Sequence, residues 1–284
     1  MRKFLTPPEM TEAMLETAAA KCALPASRAF VLALLAGAYI GFAAHLATMV
    51  TTGSTEWVGV QRFLTGAVFS FGLMLAVIPG SELWTGNTMM IAGVADKRIT
   101  AADMLRNWMI VYTGNLIGAV LLALLVVKGT GLTDGQFGAT AIKIAYAKTA
   151  EPVYGIEHQY AYFFRGLLCN WLVCLAILIA MSAQDIGGKI LGIFFPIMAF
   201  VASGFEHSVA NMYFIPAGIF AKSFPAAVTA SGLEPASLSV LGWGSMFTGN
   251  IIAVTLGNLA GGGLMVACAM LFAYGGKNRK QHVK

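Results

Sequence analysis

The chain has 284 residues, of which 58% are hydrophobic and only 11% charged, with a formal net charge of +5 and a mean hydropathy of +0.75. A soluble domain carries roughly twice that charged fraction, so an ordinary soluble globule is excluded. The 18 Lys and Arg residues form no basic stripe interleaved with aromatics, which leaves no nucleic-acid partner to explain them.

Residues 1–28 lack the apolar core of a signal peptide. The stretch "PPEMTEAMLETAAAKCALP" is expected to form a short amphipathic helix at the membrane surface, opened by Pro7–Pro8 and ended near Pro25. Six apolar spans follow, at 29–51, 63–95, 107–127, 161–183, 189–221 and 245–273, the pattern of an all-α polytopic membrane protein. The second and fifth are too long for one clean crossing. Each is interrupted, the second at "PGSELWTGN" (79–87) and the fifth at "ASGFEHSVAN" (202–211). Non-helical backbone at membrane depth survives only where protein or a water-filled cavity satisfies it. Two broken spans in corresponding places therefore point to a central transport site.

Residues 29–127 and 161–273 form two three-span groups joined by a connection at 128–160, and a basic tail closes the chain at 274–284. "LLAGAYIGFA" (34–43) aligns with "LLCNWLVCLA" (167–176), "GSELWTGN" (80–87) with "GFEHSVAN" (204–211), and "TGNLIG" (113–118) with "LGNLAG" (256–261). Three matches in one order indicate an internal repeat, and three spans per unit require the second copy to be inverted in the membrane. Twelve Lys and Arg fall on the side of both termini, including Lys21, Lys97, Arg98 and Lys189, against six on the other, so both termini are expected in the cytoplasm and 128–160 outside it.

Of the acidic residues only Glu82 and Glu206 lie inside spans, at equivalent places in the two units. Such groups are expensive at membrane depth and face protein or an aqueous path. Symmetry favours scaffolding: each carboxylate is expected to accept hydrogen bonds from backbone N–H groups opened by its helix break, with Asn87 and Asn211 supporting the same two breaks. His207 has Leu83 as its partner, so the repeat does not demand an imidazole there. It either exchanges a proton with a passing weak acid or is a hydrogen-bonded core histidine. His45, alone in the first span, reads as a packing residue. Thr85, in the loop "LWTGN", either steadies a turn or lines the path. Phe69 and Leu73 share a helical face and Phe200 precedes the second break, so these either pinch a pore or fill a core. Lys148 is either solvated or an attractor of anions at a pore mouth. Asn170 and Asn258 are buried amides that need partners, and Asn258 is placed to orient His207. The four cysteines follow no metal-ligand spacing, and neither a metal nor another cofactor is implied.

"GFEHSVANM", "SELWTGNTM", "RGLLCNWLVCLA" and "VTLGNLAGG" together resemble the formate/nitrite transporter family over residues 10–275. The resemblance implies an aquaporin-like fold, a homopentamer with one pore per protomer, and a place in the inner membrane of a prokaryote. It makes His207 the central histidine between two apolar constrictions, one of Phe69 and Phe200, the other of Leu73 with Leu83 and Trp84 of the first break. Trp84 stands where a phenylalanine is common in the family. Thr85 matches a threonine that adjusts the gate, Lys148 and Asn170 a vestibule pair that draws anions in, and Asn258 an asparagine that hydrogen-bonds the histidine. The N-terminal helix resembles a segment linked to pH-dependent gating.

The implied function is a channel or proton-coupled transporter for small monovalent anions, formate first, then nitrite or hydrosulfide. A neutral-solute pore of the aquaporin kind is the alternative from another class, and it lacks its "NPA" signature here. An intramembrane enzyme would need more than one Glu–His pair, and the chain is read as no enzyme.

Overall fold

The apolar runs fold as helices, and among the described residues the sole strand-like contact is an antiparallel bridge between Phe4 and Ala183. The computed structural model describes residues 4–53, 56–149 and 156–275. The basic tail from 276 onward and residues 150–155 of the expected connection lie outside them.

Thr6 opens helix α1 (Pro7–Ala23), its N–H donating to Glu9 Oε2 at 2.7 Å while Pro7 and Pro8 occupy the first turn. Its residues Thr11, Met14, Leu15 and Ala18 form a buried stripe against the body of the protein. The first span is α2 (Ala26–Thr51). The second begins with α3 (Val58–Phe69) and α4 (Phe71–Val77), breaks at 78–83, and resumes as the short helices α5 (Trp84–Asn87) and α6 (Met90–Ala95). Helix α7 (Ala101–Leu124) starts at a Thr100–Asp103 capping box and ends in a wider π-turn at Leu125–Gly129. Next come α8 (Gln136–Thr149), α9 (Ile156–Ser182) and α10 (Ile186–Ala202), then a second break at 203–207 and α11 (Ser208–Ala221). Two short helices, α12 (Pro225–Ser231) and α13 (Pro235–Val240), lead to a last span. It is built from α14 (Trp243–Met246), α15 (Ile252–Leu259) and α16 (Ala269–Tyr274), joined through π-helical Phe247–Ile251 and Ala260–Cys268.

Among the described residues, five helical stretches are long and apolar enough to cross a membrane: Ala26–Thr51, Val58–Val77, Ala101–Gly129, His158–Ser182 and Trp243–Tyr274. The fifth span consists of two shorter apolar helices, α10 and α11, on either side of its break. Both breaks are tighter than the sequence suggested. Trp84, Thr85 and Asn87, expected in a loop, form the turn of α5, and Ser208–Asn211 already belong to α11. Gly80 and Gly204 make this possible, since both adopt positive φ (+86° and +76°), where a side chain would be strained. The connection at 128–160 contains a full helix. Gly138, Ala139, Ala141, Ile142, Ala145 and Thr149 bury one face of α8, largely against α11 and α12. Its small side chains give a weak periodic signal, which is why the sequence hid it.

Small residues let backbones touch. A Cβ on Gly118 of α7 would lie 2.0 Å from Leu34 O of α2, and one on Gly257 of α15 would lie 2.0 Å from Phe163 O of α9. Gly257→Ala should therefore destabilise the folded protein by about 1–3 kcal/mol through overpacking. Gly129→Ala, where a Cβ meets nothing within 4 Å, should not. Thermal unfolding of the detergent-solubilised protein checks both.

Candidate functional site

A helix break strands backbone donors and acceptors, and each break here is repaired by one buried asparagine from a neighbouring span. At the first, Asn115 Nδ2 donates to Ala33 O (2.7 Å) and Glu82 O (2.9 Å), and its Oδ1 accepts from Trp84 N–H (2.9 Å). At the second, Asn258 Nδ2 donates to Gly166 O (2.8 Å) and Glu206 O (2.9 Å), and its Oδ1 accepts from Ser208 N–H (2.9 Å). The backbone follows suit: Glu82 N–H donates to Leu32 O and Glu206 N–H to Arg165 O, at 3.3 and 3.2 Å.

The two carboxylates have a different task from the one expected of them. Neither is occupied with backbone N–H groups. Glu82 accepts from Lys21 Nζ (2.7 Å) and Asn87 Nδ2 (2.7 Å), while the second hydrogen of that amide goes to Asn107 Oδ1 (2.8 Å). Glu206 accepts from Lys148 Nζ (2.8 Å to each oxygen) and Asn211 Nδ2 (2.6 Å), and Asn211 also donates to Asn250 Oδ1 (2.7 Å). One Lys–Glu–Asn–Asn network thus occurs twice, each with a lysine from the helix preceding a three-span group. The lysine and carboxylate side chains are 21% and 6% exposed in the first pair, 18% and 8% in the second. Glu82, Glu206, Asn87 and Asn211 do brace the breaks, but through ion pairs that tie α1 and α8 down onto them.

Between the networks sits His207. It is the N-cap of α11, with Nδ1 accepting from Ala210 N–H at 3.1 Å. A backbone N–H can only donate, so the proton of the neutral ring is on Nε2, 3.0 Å from Thr85 Oγ1. The ring stacks on Phe200 (centroids 6.0 Å, 21° between planes), and Phe200 meets Phe69 edge-on at 5.8 Å. On the other side Leu73 and Leu83 line a cavity of about 370 Å³, together with Glu82, Asn87 and, from α1, Met14 and Lys21. Phe69, Leu73, Leu83 and Phe200 all belong to the main buried apolar cluster of the protein.

Three expectations change. Trp84 is no part of a constriction: its indole lies in a separate cluster with Ala33 and Val111, 6.0 Å from the Trp108 ring and 5.1 Å from that of Tyr112. On the turn of α5 successive side chains diverge by about 100°, so the neighbour of Thr85 faces away from the histidine. Asn258 does not bond the imidazole. Both amide hydrogens are committed to carbonyls, and it fixes His207 through the backbone on either side. Asn170 forms no pair with Lys148. It is fully buried on α9, where one amide hydrogen goes to Asn258 O and the other is shared between Thr85 O and Thr88 Oγ1. Lys148 is not free in solvent but pinned to Glu206, 5.5 Å above the ring of Phe214. His45 packs its ring against Tyr213, as expected.

Sequence reasoning missed Lys21, Asn107, Asn115 and Asn250. Asn115 was within reach, since "TGNLIG" pairs it with Asn258. Of the cysteines, all four are free thiols. Burial, helped by Asp103, pushes the thiol of Cys22 on α1 above its ordinary range.

A polytopic helical bundle, with two braced helix breaks meeting at one buried histidine, defines a membrane transport protein. The chain belongs to the formate/nitrite transporter family, whose model matches residues 8–272. It is 42% identical over 284 residues to the "Probable formate transporter" of Methanothermobacter thermautotrophicus, covering 95% of this chain and 97% of that one. It is 35% identical over 277 residues to "Formate channel FocA" of Escherichia coli (strain K12), covering 95% of each. A solved structure described as "Pentameric formate channel with formate bound" superposes with a TM-score of 0.78 at 36% identity, over 88% of this chain and 97% of that one.

Removing one partner of a buried ion pair leaves the other uncompensated, at a cost of about 3–5 kcal/mol. Glu206→Gln should accordingly lower the unfolding temperature sharply, and Lys148→Met in the same chain should recover part of the loss. A double-mutant cycle on thermal stability reads the coupling.

Proposed function

We propose that the protein is a transmembrane channel or proton-coupled transporter for small monovalent weak-acid anions, with formate as its first substrate. The observation that carries this reading is His207, a buried imidazole hydrogen-bonded to one hydroxyl between apolar rings, with a lysine-bearing network at each break. The named activities of the relatives support formate, and the family name keeps nitrite as the competing substrate, with hydrosulfide behind it.

The physics follows from desolvation. A bare anion among Phe69, Phe200, Leu73 and Leu83 loses its hydration without replacement, a loss that costs the neutral acid far less. Lys21 and Lys148 raise the local anion concentration on the two sides, although each is partly neutralised by its glutamate. At the centre Thr85 accepts from His207 Nε2–H, which leaves its own hydroxyl hydrogen for the substrate. A proton can enter the ring only at Nδ1, and there it must displace Ala210 N–H. Proton uptake by His207 is thereby coupled to loosening of the first turn of α11. The proton that neutralises the anion comes from the water of the entry side or passes through this ring.

We further infer six crossings in an inverted three-plus-three arrangement, assembly as a homopentamer with one pathway per protomer, and residence in a prokaryotic inner membrane with both termini in the cytoplasm. The duplicated asparagine and Lys–Glu networks support the repeat, and the pentameric neighbour supports the assembly.

Proteoliposome flux decides the substrate. Formate should enter faster than nitrite or hydrosulfide and faster still with an inward proton gradient. Water or glycerol conduction without anion flux would overturn the reading in favour of a neutral-solute pore. His207→Phe should leave assembly intact and nearly abolish proton-linked uptake, and normal transport by that variant would remove the histidine from the mechanism.

A further inference from the structure

Thr85 presents two polar groups in opposite directions. Its hydroxyl meets His207, and its carbonyl points back toward α9. In a regular helix that carbonyl would accept from Met89 N–H. Met89 N–H instead bonds Gly86 O at 3.2 Å, three residues back, and Ile91 and Ala92 repeat the pattern onto Thr88 O (3.4 Å) and Met89 O (3.1 Å). The helix is overwound at this point, and the Thr85 carbonyl is left to side-chain donors. Thr88 Oγ1–H donates to it at 2.7 Å, and Asn170 Nδ2 reaches it at 3.0 Å. The amide hydrogen of Asn170 that reaches this carbonyl is shared with Thr88 Oγ1 (3.0 Å), so Thr88 and Asn170 hold each other as well as the carbonyl. Gly262, in the π-helical segment of the last span, supplies the room: a Cβ there would lie 2.1 Å from Thr88 Oγ1 and 2.6 Å from Asn170 Nδ2.

The second break has no such clamp. Met212 stands where Thr88 does and Gly37 where Asn170 does, and α11 runs on as one helix through Ala221. Scaffolding shared by the breaks is duplicated, whereas this cluster is single and lies behind the residue that touches the histidine. We propose that Thr88 is a positioning residue: its hydroxyl, backed by Asn170 and the bare Cα of Gly262, holds the Thr85 carbonyl out of helical register. It thereby fixes the Thr85 hydroxyl against His207 Nε2 and sets how sharply the pathway separates formate from larger monovalent acids. The selectivity half of this rests on the reading of His207 and Thr85 as the centre of the pathway.

The test compares Thr88→Val, Thr88→Ser and Gly262→Ala in the full-length protein, reading the imidazole nitrogen NMR signals of His207 and the formate-to-acetate flux ratio in proteoliposomes. Loss of one hydrogen bond should lower the flux ratio about five- to tenfold in Thr88→Val. It should also move the Nε2 signal toward that of Thr85→Val. Thr88→Ser should restore both, and Gly262→Ala should reproduce the Val phenotype. Unchanged signal and ratio in folded Thr88→Val overturn the proposal. So does a Ser variant as impaired as Val, which would assign the effect to packing of the lost methyl. If Thr88→Val does not fold, a Gly262→Ala protein with unchanged signal and ratio is the overturning result. If the wild-type protein carries neither acid, the transport reading fails, and the imidazole signal alone decides whether Thr88 positions Thr85.

Discussion

Everything at the centre of this protein depends on satisfying backbone polar groups where two helices stop partway through an apolar bundle. Water cannot do it without flooding the barrier, and unsatisfied groups in such surroundings cost several kcal/mol each. Asn115 and Asn258 solve the problem with three hydrogen bonds apiece, one amide bridging the end of the break to the backbone of a neighbouring span. Because these amides are rigid planar groups held by close-packed glycine interfaces, the chain around Leu83 and His207 has little freedom. The histidine is therefore delivered in one orientation, with Nδ1 consumed by its own helix and Nε2 turned to Thr85.

Function lies in what the two breaks do not share. They have the same glycine, the same asparagine brace and the same Lys–Glu–Asn–Asn network, which is the part a repeat needs in order to fold. Leu83 against His207, Thr85 against Val209 and Thr88 against Met212 are among the differences. One break carries the imidazole, the other carries the hydroxyl that meets it and the clamp that steadies that hydroxyl. The hydrogen bond between Thr85 and His207 joins the two halves of the chain where their side chains differ, and Asn170 ties the same turn to the second half through its backbone.

Much of this was legible in the sequence because ionisable residues inside apolar runs are rare enough to stand out. Glu82, Glu206 and His207 announced themselves that way, and the spans followed from hydropathy. Asparagines did not stand out: one buried amide in a span has no distinctive spacing, so Asn107 and Asn250 were invisible, and Asn115 was visible only through its repeat partner. Lys21 looked like part of a solvated amphipathic helix, because nothing local indicates that α1 folds back onto a break sixty residues away. The side-chain directions of Trp84 and Asn170 also could not be read. Adjacency to a functional residue fixes sequence position, while the helical turn decides the face.

The internal lysines also bear on orientation. Lys21 and Lys148 are held against buried glutamates, so neither is a free positive charge of a loop, and neither belongs in a topology count. Removing both leaves eleven Lys and Arg on the side of the termini against five on the other, so the proposed orientation survives the correction. The two sites are then electrically alike: each side of the histidine has one lysine, one glutamate and two asparagines. A pathway with equal charge on either side of its central imidazole has no built-in electrostatic direction. On the proposed reading, the gradients of the anion and of the proton then set the direction of net movement.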